Sequence, residues 1–190
     1  MILYKYRDFS SLRFLFDIFL NNRLYAAKYT SLNDPMEGHY LIKPDVSLSS
    51  EARNLIKDTK DSYGIVSLSQ DDDNQLMWSH YANGHNGIAI GVIVNESNCS
   101  LEPIRYKGLS ELSNFVQDNP EHTAKKILTY KHEFWLYENE HRALVRYSDF
   151  VDVNIVKVIF GRKVSDDDYE FYTSMIRKLN PDIEFERKFT

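Results

Sequence analysis

The sequence lacks the features that mark several classes of protein. It holds one cysteine, Cys99, which has no second cysteine to pair with, and NESNCSLE around it suggests neither a metal cluster nor an activating base. No apolar run approaches the roughly 20 residues of a membrane-spanning helix, and MILYKYRDF does not have the pattern of a signal peptide. We therefore expect a reduced, cytoplasmic protein with no membrane partner.

Proline and glycine are also scarce. The 5 prolines and 7 glycines form no linker that would divide the chain. A length of 190 residues with 43% hydrophobic and 27% charged residues is typical of a folded domain, which we place at 1–190. The chain has no GxGxxG, no P-loop, no GxSxG elbow and no cysteine nucleophile with a base nearby.

Basic residues are outnumbered by acidic ones. The 23 Lys and Arg against 28 Asp and Glu give a net charge of -5, so the whole molecule repels phosphate backbones. A local basic groove can still bind a nucleotide, NAD or nucleic acid. Aromatic residues make up 14% of the chain, which is enough for stacking surfaces as well as core.

Periodicity and capping residues predict a mixture of helices and strands. The predicted strands are ILYKYR, LYAAKY, YGIVSLS, GIAIGVIV, LEPIRYKG, YENEHRALVRY, VNIVKVIFG and IEFERKF. The predicted helices run from Ser10 or Ser11 to about Arg23, from Ser49 or Ser50 to about Lys60, over NQLMWSHYA after Asp73 or Asn74, from about Gly108 to Phe134 with a break near Pro120, and onward from Ser165. Because helices and strands do not alternate regularly, we expect an α+β domain with flanking helices.

The stretch WLYENEHR places two acids in a predicted strand. Side chains of a strand alternate between faces, so Glu138, Glu140 and Arg142 are expected on one side. One interpretation is a solvated edge strand with an ion pair between Glu140 and Arg142. The other is a catalytic strand, in which an acid stabilises an oxocarbenium ion or holds a ribose hydroxyl while Arg142 orients it. Paired acids also serve glycosidases.

The opening YKYRD gives a second candidate site. Tyr4 and Tyr6 are expected on one face of the strand, and Lys5 and Arg7 on the other. The planar guanidinium of Arg7 can bind diphosphate oxygens in a bidentate manner, so Arg7 and Tyr6 are candidate cofactor-binding residues. The alternative is an ion pair between Arg7 and Asp8.

The loop SLNDPMEG gives a third candidate site. Asn33 and Asp34 are turn formers, and a structural corner explains them sufficiently. A rigid loop with an amide and carboxylates can also grip a ribose or a carboxamide. On that interpretation Asn33 and Asp34 bind the cofactor, and Glu37 binds the substrate.

The segment LMWSHYANGHNG gives a fourth. His80 and His85 do not have the helical spacing of a zinc pair, so we predict no metal site. The aromatic residues are explained most simply as core. Alternatively, Trp78 or Tyr81 stacks on a planar ring, His80 donates a hydrogen bond beside it, and His85 contacts the substrate.

These segments also carry a family resemblance. In their order, YKYR, LNDPMEG, MWSHYANGHNGIAI and WLYENEHR resemble a bacterial and phage family catalogued as domain of unknown function 2971. The opening and the late acidic strand followed by VNIVKVIFG are similar to the layout of ADP-ribosyltransferases, especially the DNA-modifying DarT-like toxins. That kinship implies a mixed or antiparallel split sheet, NAD as substrate, Arg7 as its binding residue and Glu140 as the catalytic acid, with Glu138 as the alternative.

One departure from the ADP-ribosyltransferase pattern concerns the second strand. LYAAKYTS offers Tyr25, Tyr29 and Ser31 where other branches carry an STS strand and an early histidine. Tyr25 is accordingly a candidate cofactor-binding residue.

Three functions are therefore expected, in order. The first is an NAD-using ADP-ribosyltransferase or NAD hydrolase, a toxin or phage-conflict effector in type, with nucleic acid as one class of acceptor. The second is a non-catalytic module that binds a nucleotide or nucleic acid. The third is a glycosidase-like enzyme, or a nuclease-like one that uses Mg²⁺. The sequence does not predict the oligomeric state.

Overall fold

A computed structural model of the chain describes residues 1–44, 46–112 and 119–188. The strands within these ranges are β1 Leu3–Asp8, β2 Arg23–Tyr25, β3 Tyr40–Ile42, β4 Tyr63–Ser69, β5 Gly87–Val94, β6 Cys99–Pro103, β7 Arg105–Tyr106, β8 Ser110–Leu112, β9 Tyr130–Lys131, β10 Glu140–Arg146, β11 Phe150–Phe160 and β12 Glu184–Arg187. The α-helices are α1 Leu12–Asn21, α2 Ser50–Asp61, α3 Gln75–Tyr81, α4 Pro120–Leu128 and α5 Asp166–Leu179, and short 3-10 helices cover Tyr29–Ser31 and Glu133–Glu138.

One mostly antiparallel sheet organises the chain into an α+β fold. Its strand order is β12-β11-β5-β1-β4-β10-β6, and β2 pairs with β11 outside this path. The pairs along the path are antiparallel except for β11 with β12, which run parallel. The short strands form two further parallel pairs, β3 with β8 and β7 with β9. Long apolar strands such as β5 lie in the middle, as expected for strands that are buried on both faces.

The sheet is weakly joined at its centre. β1 pairs with β5 over its whole length, from Leu3 opposite Val92 to Asp8 opposite Gly87. On the other side of β1, the register with β4 consists of Tyr4 opposite Ser69. β4 then pairs fully with β10, from Tyr63 to Ser69. The two well-paired halves therefore leave room between β1 and β4 for side chains.

The main hydrophobic core covers one face of the sheet. Helices α1 and α5 contribute residues such as Phe19 and Ile176 to this core, which also contains Ile90 of β5 and Val145 of β10. Burial of these apolar side chains is the main driving force for holding both helices on the sheet.

The opposite face carries two separate apolar clusters. Helix α3 packs Met77 and Trp78 against Tyr6 of β1. Helix α4 packs Leu128 against Leu144 of β10. The ends of β4 and β10 nearest to α3 instead carry serine, glutamate and arginine on this face. A polar region is thus enclosed by apolar packing on both sides.

Several of the predicted elements are confirmed. β4 and β5 coincide with YGIVSLS and GIAIGVIV, and β12 lies at the end of the sheet as an edge strand. Of the alternative capping residues, Ser49 and Asn74 accept main-chain N–H bonds at the starts of α2 and α3. Ser165 caps α5 in the same way. Local hydrogen bonding of short polar side chains made these starts predictable.

Other predictions are wrong. The expected helix from Gly108 to Phe134 is reduced to α4, because Ser110–Leu112 and Tyr130–Lys131 form strands, and residues 113–118 lie outside the described ranges. LYAAKY is a strand only at Leu24 and Tyr25, followed by a single bridge from Ala27 to Ile65. None of the helices described is long and apolar enough to cross a bilayer.

The stretch WLYENEHR is also not one strand. Its first half, through Glu138, belongs to a 3-10 helix, and Asn139 takes a left-handed conformation with φ of 43° before β10 begins. Asparagine tolerates this conformation better than most residues. β10 is moreover an interior strand between β4 and β6, so the interpretation as a solvated edge strand is wrong.

Candidate functional site

A cavity of about 470 Å³ opens between β1 and β4, where the sheet is weakly joined. β1 contributes Lys5 and Arg7, and β10 contributes Glu140 and Arg142. Glu37, Lys131, Glu138 and the α3 residues His80 and Tyr81 also belong to its polar lining. The cavity therefore gathers charged residues from three of the four sequence segments that suggested chemistry, together with Lys131, and the fourth segment contributes His80 and Tyr81.

Arg142 organises the floor of the cavity. Its Nη1 donates to Glu37 Oε2 at 2.8 Å and to the carbonyl of Leu128 at 2.6 Å, and its Nη2 bonds the other oxygen of Glu37. Its Nε donates to Glu140 Oε1 at 2.7 Å, and Nη2 also reaches Glu140 Oε2 at 3.3 Å. All five N–H donors of the guanidinium thus have acceptors. Arg142 is fully buried, so these bonds fix both carboxylates rigidly.

Lys131 joins the two acids of WLYENEHR. Its Nζ donates to Glu140 Oε2 at 3.1 Å and contacts Glu138 Oε2 even more closely. The ammonium also lies 4.7 Å from the centre of the Trp135 ring, a cation–π arrangement. Sequence reasoning missed Lys131 because the predicted helix from Gly108 to Phe134 obscured its strand position.

Neighbouring hydroxyl groups fix the backbone and the side chain of the acids. The Tyr81 hydroxyl donates to Glu138 Oε1 at 2.6 Å, and the Ser69 hydroxyl donates to the main-chain carbonyl of Glu138 at 2.7 Å. The Tyr106 hydroxyl accepts the main-chain N–H of Glu140 at 2.7 Å. Glu138 and Glu140 therefore meet in the cavity although only Glu140 lies on the strand.

The pKa values of the two glutamates are shifted in opposite directions. Burial would raise the pKa of Glu140, but the charges of Arg142 and Lys131 outweigh it and lower the pKa to about 2. Burial raises the pKa of Glu138, and the negative charge of Glu140 adds to this effect, although Lys131 opposes both. Paired acids whose pKa values are separated by their surroundings are typical of a fixed anion beside a proton carrier.

The network as a whole has an excess of negative charge. Glu37, Glu138 and Glu140 face two cations, Arg142 and Lys131, so one negative charge is left when all are ionised. Buried charges are costly unless they are compensated, and Lys5 and Arg7 line the same cavity as further cations beside this excess.

Arg7 and Lys5 bring positive charge to the other side of the cavity. The Arg7 guanidinium makes no hydrogen bond or ion pair with any residue that the structure describes, and burial lowers its pKa. Asp8, its expected alternative partner, instead accepts from the hydroxyl of Ser10 at 2.6 Å. Lys5 Nζ donates to the carbonyl of Ser67 at 3.0 Å. Free guanidinium donors in a cavity are suited to binding an anion.

The structure brings most of the other predicted residues to the cavity. Tyr6, Tyr25, Asn33 and His80 line it. Tyr25 is half exposed and available to a ligand, whereas the Tyr6 hydroxyl is already bonded to the carbonyl of Asp71 at 2.8 Å. His80 Nδ1 lies 3.1 Å from the hydroxyl of Tyr137. Residues from these segments therefore lie around one cavity.

Three predicted residues lie outside the cavity lining. Asp34 is a structural corner, whose carboxylate accepts the N–H of Met36 at 2.9 Å and whose carbonyl accepts the N–H of Glu37. Trp78 is a core residue with its indole N–H bonded to the carbonyl of Asp72, so its ring is not placed to stack on a ligand. His85 is buried beside the Trp78 ring, at the glycine-rich end of α3. Turn hydrogen bonds explain the position of Asp34, and packing around the Trp78 ring explains the other two.

A second, more apolar groove of about 750 Å³ adjoins the cavity. It shares Arg7 and Tyr25 with the cavity and extends along α1 past Arg13 and Phe14 to Phe150. Arg23 in this groove is bonded to Asp17 and lies 3.7 Å above the Phe150 ring. The groove therefore presents aromatic and basic surface next to the cavity.

Neither a metal-ligating group in the part of the chain that the structure describes nor a similar protein assigns a function to the cavity. Among the described residues, no group of three or more His, Cys, Asp or Glu side chains is arranged to hold a metal ion. No protein-family model, no curated protein and no solved structure matches this chain.

Proposed function

We propose that the cavity binds NAD and cleaves the bond between nicotinamide and ribose, as an ADP-ribosyltransferase or an NAD hydrolase. The observation that carries this proposal is the rigidly held pair Glu138 and Glu140, in a cavity that also contains the guanidinium of Arg7, which has no partner among the described residues. In this arrangement Arg7 binds the diphosphate, and the exposed ring of Tyr25 contacts a base or the nicotinamide.

The charge of the network fits the chemistry of the reaction. When the glycosidic bond breaks, its electron pair leaves with nicotinamide and the ribose carbon becomes cationic. Glu140, which stays ionised because its pKa is about 2, supplies a fixed negative charge for that cation. The attacking water or acceptor hydroxyl must lose a proton, and Glu138 with its raised pKa is the group that accepts it.

The adjoining groove is the proposed place for an acceptor. It meets the cavity at Arg7 and Tyr25, and it offers the cation of Arg13 beside the exposed ring of Phe14. Phosphate binding by arginine together with base stacking on an aromatic ring is how proteins hold single-stranded nucleic acid. Nucleic acid is therefore the first acceptor class to be tried, although the chain carries a net charge of -5.

The test is nicotinamide release by the purified protein, with and without DNA, RNA and a crude lysate. We expect Glu140→Gln to reduce release by about 100-fold or more, since preorganised charge at a reacting centre contributes on this scale. The control is Glu133→Gln, which changes an exposed acid of the neighbouring 3-10 helix. Thermal unfolding of each variant separates loss of chemistry from loss of fold. A folded Glu140→Gln variant with full turnover would contradict the proposal.

A second candidate function is a module that binds an anionic ligand without chemistry. The observation that favours it is that every carboxylate of the network already has a cation partner, whereas Arg7 has none among the described residues. NAD or ADP-ribose binding that needs Arg7, with no nicotinamide release under any of these conditions, would support this function over the first.

A further inference from the structure

Lys5 is a cation of the cavity that no described carboxylate holds. The three buried glutamates are all bonded to Arg142 or Lys131. The Nζ of Lys5 instead donates to one main-chain carbonyl, that of Ser67, at 3.0 Å. An ammonium group has three donors, so this environment satisfies a charged Lys5 poorly.

The other charged groups around Lys5 do not make up for its missing hydrogen-bond acceptors. Arg7, two residues further along β1, repels a protonated amine. Glu138 and Glu140 attract it, but both are bonded to Lys131, and the charge of Glu37 is taken up by Arg142. Burial is the largest effect, and with Arg7 it lowers the pKa of Lys5 to about 7. A large part of the amine is therefore neutral at physiological pH.

We propose that Lys5 is a nucleophilic amine that forms an imine with small phosphorylated aldehydes or ketones, whose phosphate is bound by Arg7. A lysine that is desolvated and next to another cation is a recognised arrangement for imine formation. The cavity of about 470 Å³ has room for such a ligand, and Lys5 and Arg7 both line it. This activity does not depend on the NAD reaction.

The chemical step is balanced without any other reagent. The lone pair of Nζ attacks the carbonyl carbon, and a C–N bond forms while the carbonyl oxygen takes a proton. The C–O bond of the resulting carbinolamine then breaks and water leaves. The two hydrogens of that water are accounted for by the two hydrogens of the neutral amine. The product is an imine between Lys5 and the ligand, and borohydride converts it to a stable secondary amine.

The chain offers two matched lysines for comparison. Lys28 also donates to main-chain carbonyls, those of Asp61 and Tyr63, but it is exposed. Lys60 donates to the carbonyl of Gly38 at 2.6 Å, and burial lowers its pKa as it does for Lys5. Neither lysine lines the cavity. Lys28 controls for general reactivity, and Lys60 controls for a lowered pKa without Arg7.

The experiment treats the whole chain with pyridoxal 5′-phosphate at pH 7.5, reduces with borohydride and maps the modified peptides by mass spectrometry. We expect Lys5 to be modified at least about 10-fold faster than Lys28 or Lys60. Pyridoxal without the phosphate should react with Lys5 at least about 10-fold more slowly, and Arg7→Gln should remove that difference.

Two outcomes would overturn the proposal. One is modification of Lys5 no faster than that of Lys28 or Lys60, and the other is equal reaction with pyridoxal and its phosphate. Inorganic pyrophosphate should protect Lys5 if Arg7 binds the phosphate. Because no NAD is present, failure of the NAD proposal leaves this result unchanged, and the reverse also holds.

Discussion

The two faces of β10 are both buried but differ in what they bury. Ala143 and Val145 lie on one face, in the main hydrophobic core beneath α1 and α5. Glu140 and Arg142 lie on the other and are as inaccessible as the apolar pair. The apolar face stabilises the fold through the area it removes from water. The ionic face carries a desolvation cost that its bonds only offset, so it is not expected to add net stability.

The largest expected effect is on the ionic face. Arg142→Met leaves Glu37 and Glu140 buried without their main cation, and breaking a buried pair in this way costs about 3–5 kcal/mol of the free energy of unfolding. Urea denaturation measures this loss. Adding Glu37→Gln and Glu140→Gln should restore much of the stability, because no unpaired charge then remains. If Arg142→Met alone were as stable as the natural chain, the bonds from Arg142 to the two glutamates would not be formed in solution.

The apolar face should respond less. Val145→Ala removes two methyl groups from the main core, which costs about 2 kcal/mol including the small cavity left behind. The same denaturation experiment measures it, and its denaturant slope should equal that of the natural chain. A loss as large as that of Arg142→Met would remove the distinction between the faces.

The pH dependence of the free energy of unfolding tests the protonation state of Lys5, which is not bonded to the glutamates of the cavity. Lys5 has a pKa of about 7 in the folded chain, whereas an unfolded lysine has a pKa near ~10.4. Between these values the unfolded chain binds a proton that the folded chain does not, so stability rises with pH. The natural chain should gain up to about 1.4 kcal/mol per pH unit over this window relative to Lys5→Met.

A difference between these two proteins that stays constant from pH 7 to pH 10 would mean that Lys5 remains protonated when folded. Below pH 7 no slope is expected, since both states are then protonated. The measurement is urea denaturation at a series of pH values, with both proteins in the same buffers.

The smallest expected loss of stability is at the start of α5, away from β10, and it is a reference for the losses at the other sites. Ser165→Ala removes the cap of α5, whose hydroxyl accepts the N–H of Asp168 at 3.1 Å, and costs about 1 kcal/mol. Thermal unfolding measures it. Because this bond belongs to neither face, the variant should show unchanged binding of any ligand in the cavity, and altered binding would indicate coupling through α5.

Local patterns predicted much of the fold. The β-branched and aromatic residues of β4, the apolar run of β5 and the capping serine of α5 each act over a few residues, so the sequence carries them directly. The pairing of Glu140 with Arg142 was predictable for the same reason, since they are two positions apart on one strand. The position of Glu138 was not, because the left-handed Asn139 ends the strand pattern in a way that composition does not reveal.

The sequence by itself determined the α+β class, most helix starts and the residue types available for the site. Only the tertiary structure decided that Glu37 meets Arg142 across more than a hundred residues, that Lys131 bridges the two late acids, and that Lys5 and Arg7 pair with no carboxylate that the structure describes. The physical reason is the separation along the chain between the groups that interact. Caps and alternation depend on neighbours along the chain, whereas buried charges are matched by whichever distant groups the packing brings within hydrogen-bonding distance.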